Sequence, residues 1–486
     1  MNQRWTTLWL AGALAVVGSG CGAPEPAAPG PPNVLLVSLD TLRADHLSSY
    51  GYHRHTTPFL DGLAAGGTRF SHASVNTHGT PSSHTTMLSS LYQETHRVWA
   101  DRAAGDHRAP SIPGGIPLLQ EIFGDAGWTT AAVTGGAWMS ASYGFSRGFD
   151  HFSDQGVDAD QSVALFLEIL EPALAEGRPV FALFHTYEVH SPYLPPEGYG
   201  ELFGTYSSDI EPTWNGLQPF SHSVGRDLDD ADLDFLVSQY DGEIRFLDDQ
   251  LRVLFSKLEA MGFLDNAVVL VTADHGEEFG EHGGLLHRGT LFDELVRVPF
   301  ILWGRGVEPG VVDPTLVSTI DIAPTLLAAA GLEPPTAMEG RDVLAPSPAP
   351  WAGQRVFAQY RDGLYSVRTP RFKLIRGPGD QVRLFDLRAD PRERRNLASA
   401  RPDLAGELSS ELEAWRRTRP RSPGSPNTCP FLDGSSCCAA LPARSGMPCW
   451  LSFRERPLDG WSVSCTRRRA RSGFSPNPLR PCSRPR

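Results

Sequence analysis

The sequence predicts an α/β fold, a sheet sandwiched by helices, with a smaller antiparallel unit toward the C-terminus. Three observations carry that prediction. Five short apolar runs rich in β-formers, NVLLVSLD (33–40), TTAAVTG (129–135), PVFALFHT (179–186), AVVLVTADHG (267–276) and VPFILWG (298–304), are continuous enough to be strands buried on both faces. Helical patterns lie between them. These are PFLDGLAAGG (58–67), IPLLQEIFGDAG (116–127), DADQSVALFLEILEPALAEG (158–177), the long stretch from Asp232 to Gly262, and STIDIAPTLLAAAG (318–331). Finally, FAQYRDGLYSVRTPRFKLIRG and QVRLFDLRADP alternate apolar with polar residues around turn formers, the pattern of an antiparallel hairpin.

Length and charge bound the rest. A chain of 486 residues with 41% hydrophobic composition buries a large core, as one big domain with appendages. The formal net charge of −13 hides a split: residues 416–486 carry fourteen Arg and three acids, which leaves a body near −24 and argues against nucleic acid as a partner. Apart from Cys21, all the cysteines (429, 437, 438, 449, 465 and 482) lie in that tail, so the folded body has no disulfide or thiol chemistry. The tail lacks periodicity after the amphipathic helix PDLAGELSSELEAW. It reads as a basic disordered segment, as a small disulfide or zinc module, or, the preferred reading, as the product of a frame slip in a GC-rich gene.

At the other end, MNQRWTTLWLAGALAVVGSGCG has one Arg, an apolar run of about ten residues and then small residues, the form of a secretory signal too short to span a bilayer. Gly-Ser-Gly-Cys resembles a lipoprotein cleavage box with Cys21 as the lipidated residue, although Gly18 stands where that box prefers Leu. The expected location is the periplasm or cell envelope through that anchor, or secretion without it, with GAPEPAAPGPP as an extended tether.

In open α/β sheets, chemistry collects beyond the carboxyl ends of the strands. Two strands end suggestively: the first delivers Asp40, and the fourth delivers Asp274 and His275. Two carboxylates and an imidazole that converge make a site for one divalent cation, Mn, Zn or Ca, and the nitrogen donor favours Mn or Zn. The competing assignment makes Asp40 a helix cap and Asp-His-Gly a turn.

Several separated motifs then point to one family. NVLLVSLDTLRADHLSSYGY, TPFLDGLAAGGTRFSHASVNTHGT, TADHGEEFGEHG with LLHRGTLFDELVRVPFIL, STIDIAPTLLAAAG, and RFKLI with LFDLRADPRERRNLA resemble, in order and over roughly residues 33–415, the sulfatase family of the alkaline phosphatase superfamily. The resemblance implies an alkaline-phosphatase-like architecture: a large mixed, mainly parallel sheet sandwiched by helices, plus a small C-terminal antiparallel subdomain. It divides the chain into a signal (1–21), a linker (22–32), a catalytic domain (33–345), a C-terminal subdomain (346–415) and the tail (416–486).

Sulfatases place a Cys or Ser, converted to formylglycine, in a Cys/Ser-x-Pro-x-Arg signature before an apolar helix ending near Leu-Tyr. Counting back from Leu91 and Tyr92 in HGTPSSHTTMLSSLY (78–92) puts Thr80 at the nucleophile and His84 at the arginine; using Pro81 as the signature proline would instead put Gly79 at the nucleophile. Threonine cannot yield the aldehyde. A metal-bound Thr hydroxyl is nevertheless a nucleophile, as in related phosphodiesterases, while the competing role for Thr80 is to cap a helix starting near Ser83. The resemblance further implies His190, in FHTYEVHSPY, as a group at the ester oxygens or leaving group, and Arg288 with His287 as binders of the anion. Thr41 takes the place of a second acidic ligand, and GGAWMS (135–140) lacks the Lys and His of many arylsulfatases. His185 is as much a structural as a functional candidate, whereas His53, His55, His72, His78, His96 and His282 read as polar loop residues.

The implied activity is hydrolysis of an anionic ester, sulfate or phosphate, including sulfated glycans. Two alternatives stand beside it, a metal-dependent phosphodiesterase or phosphonate hydrolase and an inactive glycan-binding envelope protein. Contact with a membrane is expected only through Cys21, and the oligomeric state is left open.

Overall fold

The computed structural model describes residues 30–99, 111–156, 158–206, 208–217, 228–287, 289–346, 353–360 and 363–419. The signal, Cys21, Arg288 and residues 420–486 lie outside the described residues.

Eight described strands form one sheet: β1 (Asn33–Leu39), β2 (Thr68–Ser74), β3 (Thr129–Val133), β4 (His151–Ser153), β5 (Val180–Thr186), β6 (Ala267–Thr272), β7 (Phe300–Gly304) and β8 (Val311–Ser318). Their order is β8-β2-β7-β6-β1-β5-β3-β4, and only β7 runs against its neighbours. The sheet is therefore mixed and mainly parallel. β1 sits near the centre, paired in parallel with β5 and β6, and its Val34, Leu35, Leu36 and Val37 are buried as a strand covered on both faces requires.

Strand register aligns the carboxyl ends of the central strands. Ser38 stands opposite His185 on β5 and Thr272 on β6, and just beyond, the Asp40 N–H donates to the Thr186 carbonyl. Three strand ends are thereby brought level.

The five expected strands are all present, together with three that the sequence pattern does not mark. β8 carries Pro314 and is irregular between Asp313 and Leu316; as an edge strand it is half exposed over its first residues, so it lacks the continuous apolar run that marks the interior strands. β2, TRFSHAS, mixes polar with apolar residues, and β4 is three residues long.

Helices cover the sheet: α1 (Pro58–Ala65), α2 (Thr80–Ser89), α3 (Leu119–Asp125), α4 (Ala159–Ala175), α5 (Asp230–Ala260) and α6 (Ile322–Ala329). The longest, α5, starts where the Asp229 side chain accepts from the Asp232 N–H, and it buries Leu236, Tyr240, Ile244, Leu247, Leu251, Leu254 and Leu258 along one stripe. In α2 every residue is buried, despite five hydroxyls and a histidine in its first seven positions. A buried helix of that composition must be held by specific polar contacts.

A four-stranded antiparallel sheet follows, β9 (Val356–Tyr360), β10 (Leu364–Arg368), β11 (Phe372–Arg376) and β12 (Val382–Asp386), in sequence order. Helix α7 (Pro402–Arg417) packs Leu408, Leu412 and Trp415 against Tyr365, Val367, Leu374 and Leu384 to give it a core of its own. The small sheet also grips the segment before α2. The Gln359 N–H donates to the Asn76 carbonyl, and the Asn76 side-chain amide donates to the Phe357 carbonyl.

Candidate metal centre and active site

The carboxyl ends of β1 and β6 place Asp40, Asp274 and His275 together, with donor atoms all within 4.8 Å of one another. All three are fully buried. The first turn of α2 adds Thr80, whose Oγ1 stands 3.4 Å from His275 Nε2. The helix begins at Thr80 itself, three residues earlier than expected, with Gly79 as its cap residue, so the Thr80 hydroxyl is not consumed in capping.

What fills this cluster is indicated by what it lacks. Both oxygens of Asp40 and Oδ2 of Asp274 are buried without a hydrogen-bond partner among the described residues. Buried carboxylates left so are costly unless a cation takes up their charge. Burial pushes Asp274 up to about 7, and the neighbouring Asp40 charge adds to the effect. His275 is also shifted upward: burial opposes its charge, but Asp274 and Asp40 outweigh burial and raise its pKa. Without a cation, then, the cluster retains a proton. Two carboxylates and an imidazole with Nε2 turned toward them fit one divalent cation.

The surroundings fix these donors. His275 Nδ1 donates to the Gly276 carbonyl at 3.0 Å, which turns Nε2 toward the centre. Ser83 Oγ donates to the Asp274 carbonyl at 2.7 Å, tying α2 to the β6 end. Thr41 adopts a left-handed φ of 56°, a conformation costing about 1–3 kcal/mol for a β-branched residue. Its N–H points at Asp274 Oδ1 (3.3 Å), its hydroxyl donates to the Val189 carbonyl (3.0 Å) and its own carbonyl accepts from Tyr240 (2.7 Å). Those three bonds hold the strained turn, so Thr41 serves the centre through its backbone N–H rather than as the weak oxygen ligand its sequence position suggests.

The other expected residues fall into three groups. His190 and His287 are half-buried where the centre is fully buried, and their rings form a row: His190 lies 5.0 Å from His287, which lies 4.7 Å from His275. Arg288 lies outside the described residues. His84 requires a correction. Its Nδ1 donates to the Thr80 carbonyl and its Nε2 accepts from Ser38 Oγ, both at 2.9 Å, and burial with the nearby His185 pushes its pKa down to about 3. A neutral imidazole with both nitrogens committed cannot offset charge on an ester; His84 instead fastens the first turn of α2 to β1.

Three of the histidines read as polar loop residues are also corrected. His72 lies within strand β2, half-buried. His96 is buried, accepting from the Val98 N–H and paired with Thr86 Oγ1. His78 is buried and stacks on Tyr360 of the small sheet at 3.9 Å, 6.4 Å from the His275 ring. His53 and His55 are exposed.

The residues that sequence reasoning passes over are Glu277, Ser38 and Thr134. Glu277 pairs its Oε1 with His287 Nδ1 at 2.8 Å, and burial pushes it up to about 7. Its signal is present in the sequence, a carboxylate directly after Asp-His-Gly. Nothing in the one-dimensional pattern marks Ser38, which bonds His84, or the Thr134 carbonyl, which accepts from His185 Nδ1 at 2.6 Å; both are brought there by the strand register.

An α/β sheet carrying a cation-ready cluster and a hydroxyl at its carboxyl edge defines the class, a hydrolase of anionic esters. Comparison with known proteins makes it specific. The sulfatase family model matches residues 32–332 and that of the N-sulphoglucosamine sulphohydrolase C-terminal region matches residues 280–418. The chain belongs to the sulfatase family. It is 26% identical over 502 residues to arylsulfatase A of Bos taurus, across 84% of this chain and 89% of that protein. In fold it matches a solved complex with the substrate D-glucosamine-2-N,6-O-disulfate, with TM-score 0.66 and 20% identity over 80% of this chain and 98% of that one. It also matches the phosphonate monoester hydrolase of Agrobacterium radiobacter, with TM-score 0.65 and 21% identity over 80% and 96%. Enzymes of this kind use a divalent metal.

Proposed function

We propose that this protein cleaves a sulfate or phosphate ester by covalent attack of Thr80, with Asp40, Asp274 and His275 as ligands of one divalent cation. The observation that supports this most is the set of three buried carboxylate oxygens without a hydrogen bond beside the Thr80 hydroxyl. When bound, the cation lowers the pKa of that hydroxyl and neutralises charge on the ester oxygens. Thr80 Oγ1, its proton released to water, forms a bond to sulfur or phosphorus as the bond to the alcohol oxygen breaks. His190 or His287, half-buried beside the fully buried centre, gives the departing oxygen its proton in this reading, and water then frees Thr80. Arg288 is assigned to the anionic group, and His84 is left out of the chemistry. The nitrogen donor favours Mn or Zn over Ca.

The substrate class is an anionic ester, with sulfated sugars as the first candidates, given the disulfated glucosamine bound by a structure of the same fold. The phosphonate hydrolase of like fold keeps phosphorus esters beside them. The chain is read as exported and anchored through Cys21, which labelling with a radioactive fatty acid tests: an unlabelled mature protein excludes the anchor.

Thr80→Ala tests the chemistry. In full-length protein loaded with Mn or Zn and assayed on aryl sulfates and aryl phosphodiesters, turnover is expected to fall below about a hundredth of wild type. Activity surviving above that level rules out covalent catalysis by Thr80. Glycan affinity with no turnover under any of Mn, Zn or Ca would instead mark a binding protein.

A further inference from the structure

The departing oxygen can take its proton from either of two rings, His190 or His287, and the groups behind those rings differ. His190 Nδ1 donates to the Ser191 main-chain carbonyl at 2.7 Å. His287 Nδ1 instead bonds Glu277 Oε1 at 2.8 Å, and that carboxylate is fully buried while the imidazole it holds is 16% exposed. A neutral carbonyl only orients a ring. A carboxylate also stabilises the cation the ring becomes on taking a second proton.

The hairpin that follows the cation cluster brings this pair together. Glu278 and Phe279 pair antiparallel with Leu286 and Leu285, so the next residue outward on each side, Glu277 and His287, stand opposite each other. Phe279, Leu285 and Leu286 are buried and anchor the turn. At its foot, Gly276 passes so close to the Glu294 carbonyl that a Cβ has no room there, and the Glu277 carbonyl accepts from the buried Arg43 at 2.9 Å. Glu277 thus follows His275 by two residues with its backbone held. The ring it bonds lies 4.7 Å from the ring of His275, beside the cation cluster.

We propose that His287 is the proton donor to the departing oxygen and that Glu277 is its positioning residue, while His190 contacts the ester without changing charge. This rests on the proposed attack of Thr80 at the cation site. Backed by a carboxylate, His287 holds a proton at Nε2 as well as at Nδ1, and the Nε2 proton passes to the alcohol oxygen as its bond to sulfur or phosphorus breaks. The alcohol leaves neutral. A water in its place then gives a proton to Nε2 and bonds to sulfur or phosphorus as the bond to Thr80 breaks, and Thr80 recovers from solvent the proton it released. The ring ends as it began.

The test compares leaving groups, 4-nitrophenol against the more basic phenol, on aryl sulfates and aryl phosphodiesters with full-length protein loaded with Mn or Zn. In His287→Gln and in Glu277→Gln, kcat is expected to fall at least about tenfold further on the phenyl ester than on the 4-nitrophenyl ester, and the double variant is expected to be no more selective than His287→Gln. His190→Gln is expected to slow both esters alike. Each variant is compared with itself, so a misfolded fraction cancels. Equal loss on both esters in His287→Gln or Glu277→Gln overturns the proposal, as does selective loss in His190→Gln. Wild type supplies a check that needs no variant to fold: along a series of substituted phenyl esters its kcat should fall by less than about threefold per unit of leaving-group pKa, and a steeper fall overturns the proposal. Wild type that turns over neither ester class with Mn, Zn or Ca overturns the proposed function itself, and this assignment falls with it.

Discussion

Two buried clusters of charge are built on opposite principles. At the sheet edge, Asp40 and Asp274 leave three oxygens without a hydrogen bond among the described residues, with imidazoles of His185 and His275 facing them, at 3.5 and 3.4 Å. Where the small sheet meets the segment after His287, Asp293 accepts from Arg368 Nη1 at 2.7 Å and from Lys373 Nζ at 2.8 Å, while Lys373 also reaches Glu393 at 3.2 Å. Burial opposes the charge of Asp293 too, but Arg368 and Lys373 outweigh it and hold that carboxyl far below its ordinary range. At Asp293 the charge is matched within the chain; at Asp40 and Asp274 it is left for a ligand to match. The pairing of Asp293 also has a functional side, because it ties the segment bearing His287 to strands β10 and β11.

Removing a charge from each cluster should therefore have opposite consequences for the cation-free protein. Asp40→Asn is expected to lower Zn2+ affinity by about a thousandfold or more while stabilising the stripped protein by about 1–3 kcal/mol at pH 8, since a like-charge repulsion disappears. Chelator competition and chemical denaturation measure the two effects. Stripped Asp40→Asn that unfolds more easily than wild type would break the contrast. Lys373→Met is expected to destabilise by about 3–5 kcal/mol, because it leaves Glu393 without its cation and Asp293 with Arg368 alone, and to leave Zn2+ affinity in the folded protein unchanged. A neutral result there would mean that the small sheet is held by its apolar core of Leu374, Leu384, Leu412 and Trp415 alone.

The same contrast explains what is legible in the sequence. Interior strands announce themselves because burial on both faces forces continuous apolar runs, and β1, β3, β5, β6 and β7 are legible for that reason. Edge strands such as β8, with Pro314, carry no such mark. Asp40, Asp274 and His275 can be read from their position just past strand ends, and Thr80 from its distance to Leu91 and Tyr92. The role of His84 cannot. An imidazole at an arginine position looks cationic until Ser38 and the Thr80 carbonyl are seen to use both nitrogens, and those partners arrive through the sheet register and the helix turn. His185 is ambiguous in the sequence for the same reason: its meaning depends on Thr134, 51 residues away.

The smallest effect concerns protons, and it separates the clusters by how a cation changes their pH dependence. Asp274, held up to about 7 by burial and by Asp40, must lose its proton before a cation binds. Zn2+ affinity should then rise at least about tenfold per pH unit below about 7, more steeply where His275 must also give up a proton, the protons released being countable in buffers of different ionisation enthalpy. The sign for stability is the reverse. A carboxyl whose folded pKa lies above its unfolded value contributes stability that is fully present below about 4 and lost as pH rises through about 7. Bound cation removes that loss, because it replaces the proton as the neutralising charge. Asp293, already ionised throughout this range by Arg368 and Lys373, contributes nothing to the slope, whereas Glu393 beside it, pushed up to about 7 by burial, adds a slope that a bound cation leaves in place. A Zn2+ affinity that is flat between about pH 5 and 8 would show that Asp40 and Asp274 are both ionised without a cation. The sheet-edge cluster would then have to find its positive charge within the chain, as Asp293 does.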